Sequence, residues 1–147
     1  MKVLVIDDKP DEREKAAEAV RAKGWECIIC DPTEDSEFFW QDLIAEADAV
    51  ITDLMWNFPS GGQQYEKPQG LLAVIHCLFL QKPVVICTNA SEHSRGHHGE
   101  EIAFIYDGYV KSLSVLKGFP KGKKPFRWEE DKDWAKATEL LELQFQA

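Results

Sequence analysis

Four short apolar runs stand out along the chain, separated by polar residues and turn formers. They cover residues 3–6, 25–30, 49–54 and 83–88, and apolar side chains predominate in each. Short runs of this kind are typical of strands that are buried on both faces, as in a parallel sheet. The pattern therefore predicts four strands of a parallel sheet.

Helical segments alternate with these runs. Residues 10–23 begin with proline and acidic residues and end before Gly24, which are ordinary start and stop signals of a helix. Residues 34–47 and 128–145 carry apolar side chains at helical spacing, and residues 70–80 are apolar nearly all round. The alternation of strands and helices predicts a doubly wound α/β fold, with helices on both faces of the sheet.

Three further segments are less regular in pattern. Residues 108–116 contain the best candidate for a fifth strand, residues 56–69 form a long loop rich in turn formers, and residues 117–127 form a basic linker before the last helix. A long loop beside a sheet edge is more often functional than filler. With 147 residues, the chain fits a single domain over residues 1–147 with a five-stranded parallel sheet.

Composition narrows the choice of partners and compartment. A formal net charge of −9 and a pI near 4.9 argue against direct binding of nucleic acid, which needs clustered Lys and Arg. No apolar stretch approaches the roughly 20 residues of a membrane span, and the N-terminus lacks the pattern of a signal peptide. We therefore expect a cytoplasmic protein that binds neither nucleic acid nor membrane.

The cysteines and histidines favour structural over chemical roles. Four cysteines in apolar segments fit reduced thiols better than a disulfide framework. Two of them form a C-x-x-C motif, but within a predicted strand residues three apart point to opposite faces, which favours packed thiols over redox or metal chemistry. Three histidines in a polar stretch favour solvated side chains over a metal cluster. These residues are Cys27, Cys30, Cys77, Cys87, His93, His97 and His98.

Acidic residues follow two of the predicted strands. Asp7 and Asp8 come directly after residues 3–6, and Asp53 comes at the end of the third run. Parallel strands present their carboxyl ends at one edge of a sheet, so we expect the three side chains to converge. Each pair of like charges about 4 Å apart costs roughly 4 kcal/mol at an effective dielectric of 20, and a divalent cation removes this cost. Mg²⁺ prefers such ligands and commonly bridges carboxylates to a phosphoryl group, so the trio indicates a phosphoryl-transfer site.

The same residues carry a resemblance to a known family. Residues 5–13 (VIDDKPDER), 50–55 (VITDLM), 83–88 (PVVICT) and 107–110 (DGYV) match, in order and spacing, the motifs of response-regulator receiver domains of the chemotaxis-regulator type. The resemblance covers most of the chain. It implies a flavodoxin-like receiver fold with five parallel strands, and a single-domain signalling protein of a two-component system.

The resemblance also implies roles for the acidic residues. It makes Asp53 the phosphoacceptor, and it assigns Asp7, Asp8 and Asp53 to Mg²⁺ together with the backbone carbonyl of Met55. The implied phosphodonor is a sensor histidine kinase or a phosphotransfer protein, and the implied output is a conformational signal to an unknown downstream protein. A receiver is not an enzyme beyond catalysing its own phosphoryl transfer.

Two further residues match the family's switch, and the family's lysine has two candidates. The resemblance implies that Thr88 bonds the phosphoryl oxygen and that Tyr109 is the aromatic residue that turns inward when Thr88 moves. Family members place a lysine three residues after that aromatic, where this chain has Ser112. Lys111 comes one residue early, and a Lys-Pro-Phe motif begins at Lys124. We favour Lys111, with a bulge restoring its direction, and keep Lys124 as the alternative.

Two other functions remain open beside a stand-alone receiver. The residue after Thr88 is Asn89, where the family has a very small residue, and Ser112 replaces the lysine. With the long loop of residues 56–69, these departures favour a phosphorylation-independent pseudo-receiver that acts as a protein-interaction module. The third hypothesis is a small metal-dependent phosphate-ester hydrolase with that loop as a lid, although the sequence offers no separate general base for it.

Overall fold

A computed structural model describes most of the chain. The described residues are 1–34, 39–60, 63–89 and 126–146, with side chains except at 58–60 and 63–67. The strands are β1 (Lys2–Ile6), β2 (Glu26–Cys30), β3 (Ala49–Thr52), β4 (Trp56–Ser60), β5 (Gln63–Lys67), β6 (Val84–Cys87) and β7 (Arg127–Glu129). The helices are α1 (Pro10–Ala22), α2 (Trp40–Glu46), α3 (Gly70–Phe79) and α4 (Trp134–Phe145).

The described strands form one parallel sheet of five and one antiparallel hairpin. The order in the sheet is β2-β1-β3-β6-β7, and the hairpin joins β4 to β5. All residues of β3 and β6 are buried, as are four of the five residues of β1. Continuous apolar runs therefore do form the central strands, and the predicted doubly wound α/β class is confirmed.

Helices cover both faces of the sheet. The apolar cluster on one face contains Ile44 of α2 and Cys77 of α3, and the cluster on the other contains Val20 of α1 and Leu141 of α4. Alternate residues of each central strand contribute to the two clusters, because successive side chains of a strand point to opposite faces. The sheet is thus buried between two helical layers, which leaves its edges and strand ends for a site.

The register brings the carboxyl ends of the central strands together. Ile6 at the end of β1 pairs with Thr52 at the end of β3, and Thr52 pairs with Ile86 of β6. The residues that follow these strands therefore meet at one edge. Ligands of open α/β sheets bind in this location, beyond the strand ends.

Two predicted helices begin later than the sequence pattern indicates. Helix α2 begins at Trp40, not at residue 34, and Phe39 is its N-terminal flanking residue. The helix predicted from residue 128 begins at Trp134, because residues Arg127–Glu129 pair in parallel with β6 as strand β7. The side chain of Asp133 accepts a hydrogen bond from Lys136 N and caps α4. The prediction of helix over residues 128–133 was therefore wrong.

The segment predicted as a long loop contains secondary structure. Residues 56–69 include the hairpin of β4 and β5, in which Trp56 pairs with Lys67 and Ser60 with Gln63. The sequence of these residues lacks the sustained alternation of apolar and polar residues that would predict strands. The predicted fifth strand, residues 108–116, and the linker up to residue 125 lie outside the described residues. Within the described ranges no helix combines the length and the apolar character that a bilayer crossing needs.

The four cysteines are free thiols, as predicted. Burial raises the pKa of Cys27, and it raises the pKa values of Cys30 and Cys77 to about 12. Burial also raises the pKa of Cys87. A thiol that stays protonated is a poor nucleophile and a poor metal ligand, so these side chains pack as small apolar groups.

Candidate functional site

Three carboxylates meet at the carboxyl edge of the sheet. Asp7 follows β1 directly, Asp8 is its neighbour, and Asp53 follows β3. One oxygen from each side chain lies within 4.8 Å of the others. Asp7 is fully buried and Asp53 is 5% exposed. The convergence predicted from the sequence is therefore present, and it places three acidic groups in a largely dehydrated pocket.

Hydrogen bonds hold the two most buried acidic residues in place. Asp7 Oδ1 accepts a hydrogen bond from Lys9 N at 2.8 Å, and the Asp7 carbonyl accepts one from the Arg13 guanidinium at 2.8 Å. Asp53 Oδ1 accepts a hydrogen bond from Leu54 N at 2.8 Å. These contacts fix the carboxylates before any ligand binds, which is the preorganisation that an ion or phosphoryl site needs.

A lysine that the sequence analysis did not consider completes the cluster. Lys132 Nζ lies 2.6 Å from Asp7 Oδ2 and 3.1 Å from Asp53 Oδ1, and it lies 5.2 Å from the centre of the Trp134 ring. Its side chain is only 12% exposed. The two predicted candidates, Lys111 and Lys124, lie outside the described residues, so their contacts are not described.

The sequence did contain a signal for Lys132. Asp133 is a good helix N-cap, and Trp134 begins an apolar helical pattern. A helix that starts at Trp134 leaves Lys132 in the short loop after β7, three residues beyond Glu129 and at the same edge as the acids. We missed it because the charged residues after Trp128 also suit the start of a longer helix.

Charge and burial shape the protonation of the site. Burial raises the pKa of Asp53 to about 7, and Lys132 offsets this rise only in part. Burial also raises the pKa of Asp7. Burial lowers the pKa of Lys132, but the carboxylates of Asp53 and Asp7 more than compensate and raise it. With all three carboxylates ionised and Lys132 protonated, the site carries a net charge of about −2, and its carboxylate oxygens lie within 4.8 Å of one another, which suits a divalent cation.

Two polar atoms of the site have no hydrogen-bond partner among the described residues. They are Asp8 Oδ1 and the Thr88 hydroxyl oxygen, and both atoms are buried. The other oxygen of Asp8 accepts a hydrogen bond from Asn57 N at 3.0 Å. Buried polar atoms without a partner are costly and mark positions where a ligand or ion is expected. An oxygen-only donor set with one free carboxylate oxygen fits a hard divalent cation such as Mg²⁺ or Mn²⁺.

Thr88 lies at the same edge, directly after β6, and is fully buried. Its amide donates to the Glu129 carbonyl at 2.9 Å, and its carbonyl accepts from Lys132 N at 2.9 Å. The backbone of Thr88 is therefore bonded to the same segment that carries the site lysine. Tyr109, the predicted aromatic switch, lies outside the described residues.

The loop after β3 is held tightly around the Asp53 carbonyl. The Thr52 hydroxyl and the Trp56 indole N–H donate to that oxygen at 2.9 and 3.1 Å. A Cβ atom placed on Gly70 would lie 2.0 Å from the same oxygen, so only glycine fits there. Met55, predicted to offer a backbone carbonyl to the metal, is part of this loop. Trp56 and Gly70 thus support the site, and neither was singled out from the sequence.

Comparison with known proteins supports the fold assignment. No protein-family model matches the chain, and no curated protein matches it. Among solved structures, a crystal structure of a response regulator receiver domain protein from Clostridium thermocellum is 18% identical, with a TM-score of 0.54, and covers 99% of this chain and 96% of that chain. A solution structure of a response regulator protein from Burkholderia multivorans is also 18% identical, with a TM-score of 0.51, and covers 99% and 95%.

These likenesses span nearly the whole of this chain and of each solved structure, although the sequence identity is low. At 18% identity they establish the fold. The chain therefore has the fold of response regulator receiver domains, as the sequence motifs predicted. Its acidic trio lies at the edge of this fold where β1 and β3 end.

Proposed function

We propose that this protein is a response-regulator receiver that accepts a phosphoryl group on Asp53 and signals the change to a protein partner. The observation that carries the proposal is the buried cluster of three carboxylates with one lysine, in which Asp8 Oδ1 and the Thr88 hydroxyl have no partner among the described residues. The fold shared with receiver domains is consistent with it.

In the proposed reaction the Asp53 carboxylate is the nucleophile. One of its oxygens forms a bond to phosphorus, and the bond between phosphorus and the donor atom breaks. Mg²⁺, held by Asp7 and Asp8 with the Met55 carbonyl, would offset the charge on the transferred group. Lys132 would neutralise part of that charge, and the hydroxyl of Thr88, which has no partner among the described residues, would donate to a phosphoryl oxygen. Catalysis by the chain is confined to its own phosphorylation.

The donor in this proposal is a sensor histidine kinase or a phosphotransfer protein. Such proteins carry a phosphohistidine, whose phosphorus–nitrogen bond is the one that breaks. The signal is received by a protein partner that distinguishes the phosphorylated from the unphosphorylated chain. The backbone of Thr88 is bonded to the Lys132 segment, so a shift of Thr88 towards a phosphoryl oxygen would also move the segment between β7 and α4. Free thiols at all four cysteines fit a reducing compartment, and we place the protein in the cytoplasm.

Phosphorylation is tested by incubation with acetyl phosphate and Mg²⁺, followed by intact-mass spectrometry. We expect a single phosphoryl adduct that disappears in Asp53→Asn and in EDTA. Asp48→Asn is the matched control, because Asp48 is an exposed carboxylate just before β3, at the opposite edge of the sheet. An adduct that survives in Asp53→Asn, or no adduct on the native chain, would contradict the proposal.

The low exposure of Asp53 favours a second candidate function. Its side chain is 7% exposed, and Oδ1 is already bonded to Leu54 N and paired with Lys132. A phosphorylation-independent pseudo-receiver would keep the fold and the metal site while its partner reads the unmodified protein. Under this alternative the chain binds Mg²⁺ without forming an adduct, and Asp53→Asn leaves the affinity for its partner unchanged.

A further inference from the structure

A buried glutamate organises the segment that carries the site lysine. Glu129 ends β7 and is 7% exposed. Its Oε2 atom accepts hydrogen bonds from Asp131 N at 3.0 Å and from Asp133 N at 2.7 Å. One carboxylate oxygen thus bonds the backbone on both sides of Lys132. A buried carboxylate is costly unless backbone donors satisfy it, which these two do.

The backbone of Lys132 adopts a conformation that needs such support. Its φ angle is +53°, in the left-handed region that residues other than glycine, asparagine and aspartate rarely adopt. Its amide donates to the Thr88 carbonyl, and Asp131 forms an isolated bridge with Asn89. Uncommon backbone conformations persist when the surrounding bonds determine them, and they are frequent at functional sites.

The side chain of Lys132 is also restrained by contact with the Trp134 ring. Its ammonium group lies over the Trp134 ring, and the Trp134 indole N–H donates to Glu12 Oε2 of α1 at 2.7 Å. The ring can therefore support the lysine from a fixed position. However, a fixed ring does not determine the backbone conformation of Lys132. The described backbone restraints are the bonds of Glu129 and Thr88 and the bridge between Asn89 and Asp131.

We propose that Glu129 is a positioning residue for Lys132. Its buried carboxylate holds residues 129–133 in a turn in which Lys132 adopts a left-handed φ, and this turn directs the ammonium group onto Asp7 and Asp53. Glu129 itself contacts neither carboxylate among its described hydrogen bonds, and it acts through the backbone. The relevance of this role to phosphoryl transfer rests on the proposed function. The placement of Lys132 itself can be tested without phosphorylation.

Loss of the Glu129 carboxylate has a defined structural consequence. Without it, the amides of Asp131 and Asp133 lose their acceptor, and the left-handed turn at Lys132 loses two of its restraints. The turn then relaxes towards ordinary backbone angles. The ammonium group leaves the two carboxylates and becomes exposed to solvent. Glutamine retains a carbonyl oxygen at the same position and can accept both bonds, so Glu129→Gln should preserve the turn.

The first experiment measures the reactivity of Lys132 in the metal-free chain. The protein is acylated with acetic anhydride at pH 8 in EDTA, and modification at each lysine is followed by peptide mass spectrometry. We expect Lys132 to react slowly in the native chain. Its rate should rise on the order of tenfold in Glu129→Ala, because ion pairing and burial no longer protect the amine. Glu129→Gln should stay within about threefold of the native rate.

Two controls separate positioning from unfolding. Lys82 donates to the carbonyls of Ile44, Ala45 and Ala47, each at 2.6 Å, so its reactivity reports whether the fold is intact. Glu130→Gln removes an adjacent, exposed carboxylate and should leave Lys132 protected. Equal reactivity of Lys132 in the native chain and in Glu129→Ala, with Lys82 protected in both, would overturn the proposal. A joint rise at Lys82 and Lys132 would overturn it as well, since it would mean a general structural role.

A second experiment links the positioning to the acidic site. Removal of the lysine charge changes the net charge of the site from about −2 to about −3, so Lys132→Ala should tighten Mg²⁺ binding several-fold in calorimetric titration. Glu129→Ala should tighten it similarly, and the double variant should go no further. Additive effects, or weaker binding in Glu129→Ala, would contradict a role through Lys132. Absence of a phosphoryl adduct would refute the proposed function alone and leave the acylation result intact.

Discussion

Because Asp53 is buried, we expect its substitution by asparagine to increase the stability of the metal-free fold. Asp53→Asn removes the ionisable group and keeps an oxygen that can accept from Leu54 N. Burial disfavours the charged form of Asp53 and raises its pKa from the ordinary 3.8 to about 7. Each pKa unit corresponds to about 1.4 kcal/mol. The ionised carboxylate therefore destabilises the metal-free fold by up to about 4 kcal/mol, and asparagine should remove that cost.

The sign of the pH dependence follows from the raised pKa. The unfolded chain loses the proton of Asp53 near pH 4, whereas the folded chain keeps it until about pH 7. The cost therefore grows between these values and levels off above pH 7. In EDTA, Asp53→Asn should be more stable than the native chain by about 2 kcal/mol at pH 5 and about 4 kcal/mol at pH 8.

Urea denaturation at a series of pH values in EDTA measures this difference. The control, Asp48→Asn, removes an exposed carboxylate and should show no such rise with pH. Saturating Mg²⁺ should stabilise the native chain more than the variant and reduce the gap, because the ion compensates the buried charge. A variant less stable than the native chain, or a gain that does not change between pH 5 and pH 8, would refute the reasoning.

Three further predictions concern the glycine at the site, the metal and the thiols. Gly70→Ala should destabilise the fold by about 3 kcal/mol or more in urea, since its Cβ would lie 2.0 Å from the Asp53 carbonyl, whereas Gly24→Ala, with open space but a φ of +76°, should cost about 1 kcal/mol. Mg²⁺ at a hundredfold excess over its Kd should stabilise the chain by about 2.7 kcal/mol, and Asp8→Asn should remove most of this gain in thermal melts. Cys77, with a pKa of about 12, should resist a thiol reagent at pH 8, and because its unfolded pKa is near 9, it should lower stability as pH rises above 9.

The acidic part of the site was predictable because it depends on local pattern and sheet topology. The apolar run that ends at Ile6 is buried along most of its length, so the polarity change at Asp7 marks a strand end. The same argument applies to Asp53. Parallel pairing then brings the two ends together without further information. The confirmed fold class rests on the same reasoning.

The position of Lys132 was not predictable in this way, because it depends on the pairing of β7 with β6. Strand β7 has three residues, too few for a periodic signal, and it forms because β6 has an open edge beside it. The sequence after Trp128 is rich in charged residues that suit a helix equally well. The left-handed angle at Lys132 and the bonds of Glu129 become apparent only in three dimensions. The hairpin of β4 and β5 was missed for a related reason, since its pairing shows no alternating pattern.

The attachment of the Lys132 segment to Thr88 and Glu129 bears on how such a site can change during evolution. The lysine is positioned by the bonds of Glu129 to the neighbouring amides, by the bond from its own amide to the Thr88 carbonyl, and by pairing of β7 with β6. The number of residues between β6 and β7 does not enter those contacts. Insertions or deletions between the two strands can therefore change the number of residues between the acidic residues and the lysine without moving their side chains apart in space. In this architecture the lysine of the site is identified by its place beside β6 rather than by a fixed number of residues from the acidic residues.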